Sequence, residues 1–229
     1  MLVYPHGKVA EWLKALVSKT SKGASFSRVR IPPFPPRLPS LNQIKKYMKY
    51  QQKHPETCLA KCLMILLEKK IGKKIKDRYE LDLLNYSFKH ERENITRGHI
   101  EKVAKDFRVS FDWCVDSKIF FDFIKEKSLF KRIKLINKKI NKKLINSILD
   151  SSLIVYLDRF FLWEPKHGLY YRYHYPHFVI INRKINNGYE IIDPDDGKIK
   201  HINKKVLLKA IYSLRNHFLI SPHLIKVSD

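Results

Sequence analysis

The stretch "QKHPETCLAKCLMILL" (52–67) decides how this chain is read. Leu59, Cys62, Leu63, Leu66 and Leu67 recur at helical spacing, which predicts a helix from about Glu56 or Cys58 to Lys70, stopping near Gly72. Cys58 then falls on the first turn, where the partial positive charge of a helix N-terminus favours a thiolate. Gln52, six residues upstream, lies where a side-chain amide can reach back over that turn and offer a donor to a developing oxyanion. Cys62 is one turn further along the same face and reads as a core thiol.

Working outward, 77–88 and "TRGHIEKVAKDF" (96–107) read as further helices, the latter capped by Thr96 with Ile100, Val103, Ala104 and Phe107 on one face. "VSFDWCV" (109–115) alternates and reads as a strand, which makes Cys114 a second core thiol. Residues 117–127 and 138–150 read as a Lys-rich helical insert. The period then changes. "LIVYLDRFFLW" (153–163), "HFVIINRKI" (177–185), "GYEIID" (188–193) and 198–202 read as strands, followed by a helix at 203–214 and a last strand near 217–220. "NNG" (186–188) closes the middle pair as a hairpin, its Asn-Gly step supplying positive φ. Helices first and an antiparallel sheet afterwards is an α+β order.

A thiol nucleophile needs an imidazole to form its ion pair and a third group to hold that imidazole in one tautomer. His177 opens an apolar strand, which sets it apart from His167, His174, His201, His217 and His223. Asp193 follows the apolar "YEII", whereas Asp195 and Asp196 belong to the turn before Gly197. The two strands run antiparallel about the 186–188 turn, so their far ends meet once a bulge or stagger is allowed for.

With Gln52, Cys58, His177 and Asp193 in that order, the chain resembles the papain-like peptidases that remove double-glycine leaders from bacteriocins and related peptides, including stand-alone relatives without a transporter. The resemblance rests on "QKHPETCLAKCLMIL" (52–66), "HFVII" (177–181) and "IIDPDDG" (191–197), with six residues from Gln52 to Cys58 and sixteen from His177 to Asp193. It implies a papain-like fold, with a helical N-terminal half packed on an antiparallel sheet. It also implies a Cys58–His177–Asp193 triad, a Gln52 oxyanion donor, and a peptide or protein substrate. The family places Gly directly after its nucleophile; here Leu59 stands there. The chain also departs from the family in the 117–150 insert and the aromatic loop "WEPKHGLYYRYHYP" (163–176). Two other readings use the same framework: an acyltransferase or transpeptidase with the same triad, and a catalytically inactive module binding an acidic partner or nucleic acid.

Composition narrows the classes. The chain has 229 residues, 44% hydrophobic and 12% aromatic, as expected of a globular protein. Its apolar runs fall far short of the roughly 18 residues needed to cross a bilayer, so no membrane span is expected. No secretory signal is legible, and a cytoplasmic protein is expected. Three cysteines and ten histidines show neither paired finger spacing nor helical ligand pairs, so no metal and no cofactor is expected. The formal charge is +24, yet the lysines are dispersed through an Ile- and Asn-rich background, and a nucleic-acid partner is not expected.

Residues 1–47 differ in kind. "VAEWLKALVSKTS" (9–21) has the pattern of a short amphipathic helix, but "RIPPFPPRLPS" (30–40) holds five prolines in eleven residues, which forbids a core. The stretch 9–36 also resembles the conceptual translation of a transfer-RNA gene, which implies a start at Met48. The expected organisation is therefore a non-core extension over 1–47, disordered or not translated, and a peptidase-like domain over 48–229.

Overall fold

In a computed structural model the described residues are 50–54, 56–126, 130–162 and 174–228, and they belong to a compact unit spanning Ser40–Asp229. Residues 1–47, with the proline-rich stretch and the 9–36 resemblance, and most of the 163–176 loop lie outside the described residues.

The first helix, α1 (Cys58–Ile71), begins at the predicted cysteine and ends at Gly72, whose φ of 67° closes the last turn through its N–H to the Glu68 carbonyl. Every residue from Leu59 to Leu67 is buried, Lys61 included, so α1 is a central helix covered on all sides. Helices α2 (Tyr79–His90) and α3 (Ile95–Phe107) pack against it. The cap of α3 is Asn94, whose side chain accepts from the Arg97 N–H, and not Thr96, which lies inside the first turn. Gly98 lets α2 and α3 meet closely: a Cβ there would fall 2.6 Å from Ser87 Oγ and 2.9 Å from Ser87 Cα.

The strands are β1 (Ser110–Val115), β2 (Ile133–Asn137), β3 (Leu153–Asp158), β4 (Pro176–Ile185), β5 (Gly188–Asp193), β6 (Lys198–Asn203) and β7 (His223–Ser228). They form one seven-stranded sheet in the order β2-β1-β7-β3-β4-β5-β6. Three more helices complete the set among the described residues: α4 (Lys118–Glu126), α5 (Lys142–Ile148) and α6 (Lys204–Phe218). The α+β class stands, with two corrections. First, the sheet is mixed rather than antiparallel, because β1 and β2 run parallel through the crossover that holds α4; the helices expected at 117–127 and 138–150 are α4 and α5, and the stretch between them adds the edge strand β2. Second, helices cover both faces. Ile154, Phe178, Ile180, Ile192 and Ile225 point to the α1–α3 side, while Val155, Val179, Ile181, Ile191 and Leu224 point to the α5–α6 side, as strand alternation requires.

Local differences have physical causes. The strand from Leu153 stops at Asp158, and Arg159–Leu162 turn as a short 3-10 helix whose start is fixed by the Phe160 N–H donating to Asp158 Oδ1 at 3.0 Å. The last strand is not at 217–220, because α6 runs on through Phe218 and ends on Leu219 at φ 54°. Gly188 does not have positive φ either. Its requirement is space, since it opens β5 directly beneath the Ile202 carbonyl of β6.

Within the α1–α3 core, His223 is enclosed by Trp113, Phe120, Tyr156 and Phe178, with ring centroids 4.9 to 6.4 Å away. Neither ring nitrogen has a hydrogen-bond partner among the described residues. Burial pushes its pKa down to about 3. The unfolded chain takes up this proton below about pH 6.5 and the folded chain does so only near 3, so stability falls with pH across that window. His223→Phe is expected to remove this loss, gaining about 2 kcal/mol over the wild type at pH 5 beyond any difference at pH 8. Urea unfolding at the two pH values measures it; an equal gain at both would show that His223 does not titrate with unfolding.

Candidate functional site

The register of the β4–β5 hairpin brings His177 and Asp193 together. Near the turn Arg183 faces Glu190, while beyond Asn182 Ile181 faces Ile191 and Ile180 faces Ile192, so one extra residue is accommodated at Asn182. Continued without that bulge, the first register would set His177 opposite position 196 and leave Asp193 on the other face of the sheet. The bulge changes the parity: continued beyond the Ile180–Ile192 pair, the register puts His177 on the same side of the sheet as Asp193. The result is a bond of 2.8 Å between His177 Nε2 and Asp193 Oδ1.

Asp193 is fully buried and has further partners. Its Oδ1 accepts the Asp195 N–H at 3.1 Å, and its Oδ2 accepts from Lys200 Nζ at 2.6 Å and lies 3.5 Å from Arg159 Nε. Burial alone would raise its pKa, but the hydrogen bond and charge of His177, with Lys200 and Arg159, hold the carboxyl far below the usual range. An ionised Asp193 can only accept, so Nε2 of His177 carries hydrogen and Nδ1 is left for the sulfur.

Cys58 opens α1 at the wall of a cleft of about 460 Å³, which His177, Gln52, Leu59, Tyr156 and Phe178 also line. Burial would raise the thiol pKa, yet it is lowered overall by the hydrogen bond and charge of His177 and by the backbone amides of Phe178 and Leu59. His177 answers in the opposite sense. Burial lowers its pKa, but Asp193 and Cys58 together bring it up to about 9. A lowered thiol beside a raised imidazole is the pair of shifts that mutual charge stabilisation between a thiolate and an imidazolium produces. The other thiols differ: burial pushes Cys114 up to about 11, and burial with the neighbouring Cys58 and Asp193 charges lifts Cys62 well above the ordinary thiol range. Cys62 donates to the Phe178 carbonyl at 3.6 Å. Both are core thiols, as their helix and strand positions predict.

Gln52 is brought in by the loop ahead of α1. Its backbone N–H donates to the Pro194 carbonyl at 2.6 Å, and the Gln51 side chain donates to the Asp195 carbonyl at 3.3 Å. The turn that follows Asp193 is thus the dock for the segment that precedes Cys58. From the other side buried Glu80 accepts the Lys53 N–H, at 2.9 Å to Oε2. Gln52 Oε1 is buried with no partner among the described residues. Leu59 is 5% exposed and packs with the core, while Cys58 stays partly open to the cleft, so Leu59 does not seal it.

Sequence reasoning missed Arg159, Lys200, Glu80 and His99. Lys200 follows from pairing Ile191 with position 200 across β5–β6, a register legible only once the hairpin is built. The rival candidates His174, His217 and His201 are engaged elsewhere: His174 bonds Asp158 at 2.5 Å and stacks on His217, and His201 approaches Glu190. His167 lies outside the described residues. A second hollow, lined by Asn141, Lys142, Asn146, Leu208 and Tyr212 among others, holds no thiol, imidazole or carboxylate. Among the described residues no three metal-ligating side chains converge, and no helix is long and apolar enough to cross a membrane. Compared with known protein families, curated proteins and solved structures, the chain has no significant match to any.

Proposed function

We propose that the protein is a papain-like cysteine peptidase, a hydrolase acting on a peptide substrate through Cys58, His177 and Asp193. The observation that carries this reading is the depressed Cys58 thiol beside the elevated His177 imidazole, itself held at 2.8 Å by a buried ionised Asp193. The Cys58 thiolate attacks a peptide carbonyl and forms a C–S bond; the carbonyl electrons move to oxygen, to which the Gln52 amide and the Cys58 backbone N–H donate in this reading. His177 gives its proton to the departing amine as the C–N bond breaks, then takes one from the water that hydrolyses the thioester. Asp193 keeps the imidazole in one tautomer throughout.

Labelling with acetyl-Leu-Gly-Gly chloromethyl ketone tests the reading. The expected result is a single adduct on Cys58, formed with loss of chloride, while Cys62 and Cys114 stay unmodified. Labelling of Cys114 as fast as Cys58 would overturn it.

A further inference from the structure

The cleft has a second imidazole that the triad does not use. His99, on α3, is 1% exposed at its surface yet lines the same cleft as Cys58, with Ile95 and Thr96 beside it on the helix. Its Nδ1 lies 2.8 Å from the Ile95 carbonyl and 2.8 Å from Ser87 Oγ. A carbonyl only accepts, so Nδ1 must carry the hydrogen. The Ser87 hydroxyl is consistent with this, since its own proton goes to the Leu83 carbonyl at 3.0 Å and its oxygen is left to accept. With Nδ1 protonated and the ring neutral, Nε2 presents a lone pair, and it has no protein partner in the described residues.

The ring is held there at a cost. Burial lowers its pKa to about 4, so it is neutral at pH 7 and destabilises the fold in acid. A leucine of similar volume would fill the α2–α3 seam without that cost. Gly98 clears the approach that puts Ser87 against the ring, so the packing around His99 fixes one tautomer and one orientation.

We propose that His99 Nε2 accepts a hydrogen bond from a backbone N–H of the substrate and so positions the peptide along the α3 wall of the cleft. An extended peptide must present N–H groups to its enzyme, and a neutral acceptor on a rigid helix takes an amide donor without the desolvation cost of a carboxylate. This inference rests on the peptidase reading and deepens it. His99 is a substrate-positioning residue: it acts on binding and not on the thiolate.

The test compares acetyl-Leu-Gly-Gly chloromethyl ketone with three analogues, each N-methylated at one amide, against iodoacetamide, which needs only the thiolate. With wild-type protein one analogue is expected to label Cys58 about tenfold more slowly than the parent, the effect of one lost hydrogen bond. His99→Leu is expected to slow the parent by a similar factor and to abolish the penalty at that amide, while His99→Gln restores part of the rate. Iodoacetamide should react with Cys58 at an unchanged rate in both variants. If no analogue shows the penalty, if it persists in His99→Leu, or if the iodoacetamide rate falls in step, the proposal is overturned. Should the variants not fold, nitrogen-15 histidine spectra of the wild type decide: Nε2 of His99 should be unprotonated and move on peptidyl labelling but not on carboxamidomethylation, and no such movement overturns it. Failure of the parent probe to label Cys58 while iodoacetamide does so would instead overturn the peptidase reading, and this inference with it.

Discussion

Replacing His177 by alanine is expected to slow cleavage of a peptide amide about a thousandfold, the scale of a lost general acid–base in a positioned site. In the proposed mechanism His177 holds the thiolate before attack and supplies the proton to the leaving amine, so the substitution removes both together. The fold should persist, because Asp193 keeps Lys200 at 2.6 Å and Arg159 at 3.5 Å and is not left as an isolated buried charge. In the wild type the same dependence appears in the pH profile. His177 carries its proton up to about pH 9, so amide cleavage should decline as pH rises through that value. The stability contributed by its protonated form runs the same way: fully present below about pH 6.5 and lost through about 9. Steady-state rates of the variant and a wild-type profile from pH 5 to 10 provide the check; a loss of less than about tenfold in His177→Ala would show that another group handles the proton.

Gly188→Ala is expected to destabilise the domain by about 3 kcal/mol, the upper end for overpacking, because the new Cβ meets backbone and not a movable side chain. It would fall 2.0 Å from the Ile202 carbonyl oxygen and 2.9 Å from its carbon. Relief requires β5 and β6 to part, and that seam pairs Gly188 with Asn203 at one end and Asp193 with Lys198 at the other. The substitution should therefore weaken the site from a distance, loosening the Lys200–Asp193 contact as well as the fold. Urea denaturation followed by circular dichroism measures it, and a change below about 1 kcal/mol would mean that the strands tolerate the separation.

What the chain discloses on its own follows from range in sequence. The helix at Cys58 is legible because its apolar spacing, its first-turn cysteine and its terminal Gly72 are all local. His177 and Asp193 are legible as the ends of a hairpin, but the bulge at Asn182 that sets them on one face is not, since nothing in "VIINRKINNG" (179–188) marks where the extra residue goes. The edge strand Ile133–Asn137 lies between the two stretches read as helices, and its parallel pairing with Phe111–Val115 makes it a strand. Helix α6 overruns the predicted end at 214 by a further turn and closes on Leu219 at φ 54°, and this displaces the last strand to His223. Arg159, Lys200 and His99 were beyond reach for one shared reason: each acts through a contact across the sheet, across a pair of helices or into a cleft, and no spacing in the chain encodes it.

The proposed chemistry needs Cys58 to lose its proton more readily than an ordinary thiol because His177 stands beside it. The pH dependence of Cys58 carboxamidomethylation by iodoacetamide, followed by mass spectrometry in the folded protein, tests this most directly. Cys58 should react with a midpoint below the ordinary thiol range, while Cys114 titrates near 11, and the Cys58 midpoint should return upward in His177→Ala. A Cys58 midpoint at or above the ordinary thiol range, unchanged by the substitution, would contradict it.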